Sequence, residues 1–274
     1  MRPIGLHTRI AKDLDQLIVD VDFLGLNTFQ CFFIAQNQNE YLSVNEAAQK
    51  RFLAQRHRFS TLYGHASYWI NLCGKYTNRT VHLLEKEIAL AKRLAFDAII
   101  IHPGTATGWS KKEGIAQLVR LLNPIIKRED KLTFILENTA HENLTVGNDL
   151  ADFGEILNLL DHPEKIKVCI DTAHAYAYGY DLTNENGLQE FLSLIDKHIT
   201  FQRVSLIHLN DTTEQLASKK DKHAAPGAGA IGFEVLSKIA LLPQFKNIPL
   251  LLELPSIGLD EQKKIVDEMR SVLG

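Results

Sequence analysis

The fold is most readable in the segment Val168-Cys169-Ile170-Asp171-Thr172-Ala173-His174-Ala175-Tyr176-Ala177-Tyr178-Gly179-Tyr180-Asp181. It begins as an apolar run of the kind that forms a parallel strand buried on both faces. The run ends on Asp171, His174 follows three residues later, and the segment then passes through aromatic residues into a glycine turn. A rigid strand that ends by presenting a carboxylate and an imidazole can offer ligands to a metal ion. One such pair would indicate little, but the chain repeats the pattern at several strand ends.

Other short apolar runs alternate with amphipathic helical patterns along the chain. The apolar runs cover residues 4–7, 28–33, 60–65, 98–102, 133–137, 205–208 and 249–253. Helical periodicity covers residues 13–24, 80–94, 112–126, 150–160, 188–195, 233–241 and 260–272. Together with residues 168–171, this alternation predicts an α/β fold, a (β/α)8 TIM barrel that forms a single domain over residues 1–274. Polar stretches at 35–48 and 210–232 are predicted to be loops at the C-terminal ends of the strands, where such barrels place their active sites.

Composition and charge narrow the class of protein. The hydrophobic content of 45% is ample for a buried core. The net charge of -3 indicates no basic tail that would bind nucleic acid, although it does not exclude a locally positive groove. Three cysteines, Cys31, Cys73 and Cys169, without C-x-x-C spacing indicate a reducing compartment. Neither a signal peptide nor a membrane span is recognisable. A soluble, cytoplasmic protein with no membrane partner is therefore expected.

Ligand-type side chains are predicted to converge at one end of the barrel. They are His65, His102, Glu137, Asp171, His174, His208, Asp221, His223 and Glu253. A single histidine or glutamate at a strand end is more often a hydrogen-bonded polar residue, but nine in one pocket would be costly unless cations neutralised them. Imidazoles and carboxylates without thiolates suit zinc, with manganese or iron as alternatives. The number of ligands predicts two or three ions, and such clusters most often hydrolyse phosphate esters.

The chain resembles the endonuclease IV family, also called AP endonuclease family 2, over nearly its whole length. The shared motifs are Gly5-Leu6-His7, His102-Pro103-Gly104, Leu136-Glu137-Asn138-Thr139-Ala140, residues 171–181, His208-Leu209-Asn210-Asp211, and Asp221-Lys222-His223 followed by Gly227-Ala228-Gly229. The resemblance implies a xylose-isomerase-like TIM barrel with three zinc ions per chain, Mn²⁺ being an alternative in some positions. The implied ligands are His65, His102 and Glu137 for the first zinc, Glu137, Asp171, His208 and Glu253 for the second, and His174, Asp221 and His223 for the third.

The same resemblance implies a DNA-repair phosphodiesterase. It would hydrolyse the phosphodiester 5′ to an abasic site to leave a 3′-hydroxyl, and it would also remove 3′-blocking groups. Attack by metal-bound hydroxide is expected, with Glu137 and Glu253 as catalytic residues and the ions stabilising the developing charge. The expected partner is double-stranded DNA with abasic sites or 3′-blocked ends, bound by a monomer. Three zinc ions would change the formal charge from -3 to +3.

Several expected DNA contacts depart from the family pattern. Tyr68 matches the intercalating tyrosine of the family, whereas Asn39 stands where the family has a wedge arginine. Lys222 replaces an arginine between two ligands, and Lys220 lies close by. The four residues Asn39, Tyr68, Lys220 and Lys222 are nevertheless the predicted DNA-binding residues. Further departures are Thr212, Thr213 and Ala228, while Trp69 and Trp109 are expected to pack rather than to contact DNA.

Two rival functions stay open. A sugar isomerase or epimerase could use the same barrel, but such enzymes typically bind one or two ions, and the third ligand group argues against this function. A divergent damage-binding protein with weak catalysis could retain the metals for stability, as the departures at Asn39, Thr212 and Ala228 allow. The number of bound metal ions and an abasic-site nicking assay would distinguish these functions.

Overall fold

A computed structural model describes residues 2–8, 14–35, 40–41, 44–75, 78–142 and 144–274. All eight predicted apolar runs form strands, and these strands close into a parallel barrel in chain order. The strands are β1 (Ile4–Thr8), β2 (Phe29–Phe32), β3 (Leu62–His65), β4 (Ala98–Ile101), β5 (Thr133–Glu137), β6 (Ile166–Asp171), β7 (Val204–His208) and β8 (Leu250–Leu252). Strand β1 closes the barrel by pairing with β8 on one side and β2 on the other. The predicted (β/α)8 fold is confirmed.

Helices surround the barrel and cover its outer face. Within the described residues they are α1 (Leu14–Phe23), α2 (Glu46–Gln55), α3 (Asn78–Arg93), α4 (Lys111–Arg128), α5 (Ala151–Leu159), α6 (Thr172–Tyr178), α7 (Glu185–His198), α8 (Phe233–Ala240) and α9 (Leu259–Leu273). Helix α3 shows why the helices pack against the barrel, because its apolar residues Leu84, Ile88 and Ala91 recur at helical spacing and are buried. None of the helices in the described part combines the length and the apolarity that crossing a bilayer requires.

Two helices differ from the sequence-based expectation. Helix α2 begins inside the stretch predicted to be a polar loop, where Asn45 accepts a hydrogen bond from the amide of Ala48 at 2.8 Å. Helix α6 follows β6 directly, where aromatic residues and a glycine turn were expected. The Asp171 carboxylate accepts from the amide of His174 at 2.8 Å and so satisfies a free N–H group at the start of this helix. His174 therefore lies on a helix and not on an extended strand end.

The barrel interior places the predicted ligands above an apolar layer. This layer consists of Tyr63, Ala98, Ile100, Ile135, Cys169, Leu206 and Leu251. Side chains along a strand alternate between the two faces, so the residue two positions after an inward apolar residue points inward again. His65 follows Tyr63 in this way, and the same spacing applies to the ligands that follow Ile135, Cys169 and Leu206. The ligands at the C-terminal ends of the strands therefore rest on an apolar floor.

Short antiparallel ladders shape the loops at the C-terminal ends of the strands. Residues Asp211–Thr212 pair with His223–Ala224, which folds the segment after β7 back on itself. A second ladder joins Gly104–Thr105 to Thr145–Val146. The first ladder brings a loop that carries two predicted ligands over the end of the barrel.

Candidate metal centre

The first ligand group consists of His65, His102 and Glu137. The Nε2 atoms of both histidines lie 3.1 Å from Oε2 of Glu137. Nδ1 of His65 lies 2.8 Å from the carbonyl of Ala66, so this nitrogen carries the proton and donates it. Nε2 of the neutral ring then presents a lone pair toward a carboxylate, an arrangement that a shared cation stabilises. One ligand atom from each of the three residues lies within 4.8 Å of the others, close enough for one metal ion.

The second group consists of Glu137, Asp171, His208 and Glu253, whose ligand atoms also lie within 4.8 Å of one another. Nδ1 of His208 is 2.8 Å from Oε1 of Glu137 and 3.6 Å from Oε2 of Glu253. The two oxygens of Glu137 therefore face different groups, Oε2 the first and Oε1 the second. A carboxylate in this orientation can bridge two metal ions.

In the third group, one ligand atom each of Asp171, His174 and His223 lies within 4.8 Å of the others, and Asp221, the predicted third ligand, lies beside the two histidines. The Asp221 carboxylate lies 3.2 Å from Nε2 of His174 and 3.3 Å from Nε2 of His223. Both nitrogens are buried and lack a hydrogen-bond partner. Nδ1 of His174 donates to the carbonyl of Asn138 at 2.8 Å, which leaves its Nε2 as a lone-pair donor. Buried lone pairs without a hydrogen-bond donor fit a metal ion, and Asp171 links this group to the second one.

Electrostatics within the cluster favour a bound cation. Burial opposes ionisation of Glu137 and Glu253, but the neighbouring imidazoles, His208 foremost, hold the pKa of both carboxyls well below its ordinary value. Burial also opposes a charge on His174, yet two neighbouring aspartates raise the pKa of this imidazole well above its ordinary value. In the absence of metal, His65, His174 and His208, whose pKa values are all raised, would therefore take up protons and so offset the charge of the carboxylates. Divalent ions can replace those protons.

The side-chain amides of Asn138 and Asn210, which were not predicted as site residues, orient the carboxylates. Asn210 donates to Oδ2 of Asp171 at 2.6 Å and to Oε2 of Glu253 at 3.2 Å. It also accepts from the backbone amide of Glu253 at 2.7 Å. Asn138 accepts from the amide of Asp171 at 2.6 Å and donates to its carbonyl. Asn138 directly follows Glu137, and Asn210 follows His208 by two residues. This closeness to predicted ligands is the sequence signal that could have indicated their role.

Gln30 on β2 was also missed, and it contacts His7, His208 and Glu253. It is a lone polar residue within the apolar sequence from Phe29 onward, which is the signal that could have revealed it. His7, which the sequence placed near the metals, lies 3.0 Å from Oε1 of Glu253 through its Nδ1. These residues extend the polar network to the strands that contribute no predicted ligand.

Exposed aromatic residues lie beside the candidate ligand groups. Tyr68 is 59% exposed, and its ring centroid lies 5.8 Å from that of His102. Trp69 is 54% exposed, so the expectation that it packs into the protein is wrong. Trp109 is half-buried and donates from Nε1 to the backbone of Cys73 at 2.7 Å, as a packing role requires. Tyr68 and Trp69 thus present two adjacent aromatic side chains to solvent at the rim of the site.

The other predicted DNA contacts lie on or near the loop of the third group. Lys220 and Lys222 are exposed, with Nζ of Lys220 3.8 Å from a carboxylate oxygen of Glu214. Thr212 is fully buried, and its hydroxyl donates to the carbonyl of Lys222 at 2.8 Å. This departure from the family pattern therefore serves the fold of the loop. Asn39 lies outside the residues that the structure describes.

Comparisons with known proteins agree with this architecture. Residues 21–273 match the AP endonuclease 2 family, described as a xylose isomerase-like TIM barrel. Probable endonuclease 4 of Halothermothrix orenii is 32% identical, with 97% of this chain and 99% of the relative covered. Probable endonuclease 4 of Thermotoga maritima is 29% identical, with 100% of this chain and 97% of the relative covered. The crystal structure of endonuclease IV from Thermus thermophilus has a TM-score of 0.85 and 27% identity, covering 99% of this chain and 98% of that chain. The chain therefore belongs to the AP endonuclease 2 family of xylose isomerase-like TIM barrels, as its resemblance to endonuclease IV predicts.

Proposed function

We propose that this protein is a zinc-dependent DNA-repair phosphodiesterase that cleaves 5′ to abasic sites, leaves a 3′-hydroxyl and also removes 3′-blocking groups. The observation that carries the proposal is the set of three adjoining ligand groups, joined through Glu137 and Asp171, at one end of the barrel. The full-length similarity to proteins named probable endonuclease 4 supports it. In this proposal residues 1–274 act as one domain and as a cytoplasmic monomer, a setting that three free cysteines favour.

The ligand groups would hold three zinc ions, with Mn²⁺ as an alternative in some positions. The proposed ligands are His65, His102 and Glu137, then Glu137, Asp171, His208 and Glu253, and finally His174, Asp221 and His223. When bound, such ions polarise a phosphoryl group and lower the pKa of bound water. Glu137 and Glu253 are the proposed catalytic carboxylates. The two oxygens of Glu137 face the first and the second ligand group, and Oε2 of Glu253 faces His208 in the second group.

Residues at the rim would hold the damaged duplex. Opening DNA at a missing base requires side chains that enter the base stack, and aromatic rings stack on bases of any sequence. Tyr68 and the adjacent Trp69 are exposed beside the first group and would do this. Lys220 and Lys222 would contact backbone phosphates, and Asn39 would take the wedge position of the family.

The test combines metal analysis with a nicking assay. Purified protein should hold three zinc ions per chain and should cut a duplex containing a tetrahydrofuran abasic analogue once, 5′ to the lesion. A polymerase should extend the product, since extension requires a 3′-hydroxyl. Chelator should abolish the cut, and an undamaged duplex is the control. Protein that carries zinc yet never nicks the abasic duplex would contradict the proposal.

The same experiment separates the rival functions. One zinc ion per chain without nicking would favour a sugar isomerase or epimerase. For a damage-binding protein, His65→Ala and Glu137→Ala should bind abasic DNA and differ little in turnover from the parent. Quenching of tryptophan fluorescence reports binding independently of cleavage. Trp109→Phe would leave the exposed Trp69 as the single reporter, since the chain has two tryptophans.

A further inference from the structure

Gln30 occupies an unusual position for a polar side chain. It lies on β2 between the buried residues Phe29 and Cys31, and it is completely buried itself. Its Oε1 lies 2.8 Å from Nε2 of His208, and its Nε2 lies 2.6 Å from Oε1 of Glu253. Two of the three hydrogen-bond partners of this carboxamide therefore belong to the second ligand group.

The chemistry of these partners determines the orientation of the Gln30 carboxamide. The carboxylate of Glu253 can only accept, so the NH₂ end of Gln30 must face it. The remaining N–H is directed to Nδ1 of His7 at 2.7 Å. The carbonyl end then faces His208 and can only accept from it.

This orientation decides which nitrogen of His208 is free. Because the carbonyl of Gln30 only accepts, Nε2 of His208 carries the proton, and Nδ1 is left with its lone pair. That Nδ1 faces Glu137 at 2.8 Å and Glu253 at 3.6 Å, inside the second group. Gln30 holds Oε1 of Glu253, so Oε2 of the same carboxylate is the oxygen turned toward His208.

We propose that Gln30 is the positioning residue of the second metal group, which fixes the proton of His208 on Nε2 and turns Oε2 of Glu253 toward the metal position. This inference rests on the zinc site of the proposed function, and Gln30 acts on that site only through His208 and Glu253. A side chain that merely filled the barrel interior would be replaced without loss by an apolar side chain of the same length.

Gln30→Met supplies that replacement, since it keeps the length and removes every hydrogen bond that the side chain of Gln30 makes. Residues that orient metal ligands typically change metal affinity 10- to 100-fold when they are lost. One of the three zinc ions should therefore bind about 10- to 100-fold more weakly, and the other two should be unchanged. Competition with a chromophoric chelator, with zinc counted per chain, measures this. Gln117→Met is the matched control, because Gln117 is another buried glutamine but lies on helix α4 outside the barrel.

A spectroscopic readout follows the proton itself. In zinc-loaded protein with ¹⁵N-labelled histidine, the Nε2 proton of His208 should be protected from solvent by its bond to Gln30. Gln30→Met should remove this protected signal, whereas the Nδ1 protons of His65 and His174 donate to backbone carbonyls and should persist. Gln30→Glu keeps an acceptor for His208 and should restore the signal.

The outcomes separate this inference from the proposed function. Parental affinity for all three zinc ions in Gln30→Met, with the His208 proton still protected, would overturn it. If Gln30→Met fails to fold, Gln30→Asn carries the same test, because it keeps the amide but is too short to reach His208. Neither measurement uses DNA, so a protein that binds zinc but cuts no DNA would defeat the proposed nuclease and leave the role of Gln30 intact.

Discussion

At the scale of single residues, Glu137 is the centre of the site because its two oxygens face different histidines. Oε2 approaches His65 and His102, and Oε1 approaches His208. The sequence predicted this residue as a bridge only through the family resemblance, since spacing along the chain does not show which way a carboxylate oxygen points. The barrel register places Glu137 beside Cys169 on the neighbouring strand, two residues before Asp171.

Glu137→Gln should remove zinc and activity together. The amide NH₂ group cannot ligate a metal, so one of the two groups loses an oxygen ligand. We expect fewer than three zinc ions per chain and a fall of at least about 100-fold in single-turnover nicking, comparable to the loss of a transition-state stabilising group. Glu164→Gln, at an exposed position, is the control. Parental zinc content together with parental turnover would exclude Glu137 from the site.

Glu87, a buried carboxyl that is not one of the proposed ligands, predicts a pH dependence of stability. It is fully buried on α3, and its carboxylate accepts from the amide of Ser67 at 3.1 Å. Burial raises the pKa of Glu87 to about 7. The folded state thus binds this proton more tightly than the unfolded state, so the contribution of Glu87 to stability is complete below about pH 4.5 and is lost as the pH rises through about 7.

Glu87→Gln should abolish this loss. The free energy of unfolding of the variant relative to the parent should rise between about pH 4.5 and 7 and should reach roughly 2–4 kcal/mol at neutral pH. Urea unfolding of both proteins in chelator, at several pH values, measures the difference between their free energies of unfolding. Glu85→Gln changes an exposed glutamate of the same helix and should shift stability by less than about 1 kcal/mol. A difference that does not vary with pH would show that folding leaves the pKa of Glu87 unchanged and would contradict the argument.

At the scale of elements, the loop after β7 is organised around one buried carboxylate. Asp211 is fully buried and accepts from five backbone amides. These are the amides of Thr212, Gly227, Gly229, Ile231 and Gly232, at 2.8 to 3.2 Å. A Cβ atom on Gly229 would lie 2.4 Å from Oδ1 of Asp211, so glycine is required at this position. The loop that follows His223 is therefore wrapped around Asp211.

Asp211→Asn should loosen this loop and weaken metal binding by the proposed third ligand group. The amide has one acceptor oxygen, and its NH₂ group would face backbone donors, which leaves buried groups unsatisfied. We expect a loss of about 2–3 kcal/mol in the free energy of unfolding, together with weaker retention of one zinc ion. Denaturant unfolding and dialysis against chelator test both effects. Asp196→Asn, on the exposed face of α7, should leave both unchanged, and equal midpoints for the Asp211 variant would contradict the argument.

At the scale of the whole molecule, the sequence was sufficient to predict the barrel and the convergence of the proposed ligand side chains at one end of it. Alternating apolar runs and helical patterns predict the strand order, and the two-residue period of a strand brings the ligands to one end. Helix α6 could not be read in this way, because its start depends on the hydrogen bond from the amide of His174 to Asp171. The role of Gln30 was equally hidden, since its partners lie 178 and 223 residues away along the chain.

The separation between core and site predicts how the molecule responds to loss of metal. The interior layer and the larger apolar cluster between strands and helices consist of buried hydrophobic residues and contain none of the nine proposed ligands. Chelator should therefore leave the barrel folded, with an unchanged far-UV circular dichroism spectrum at room temperature. Zinc that binds only the folded state at 100 times its Kd adds about 2.7 kcal/mol per site. The Tm should then fall by about 5 °C or more on removal of zinc and recover on its return. Unfolding of the protein by chelator at room temperature would show instead that the metals hold the barrel together.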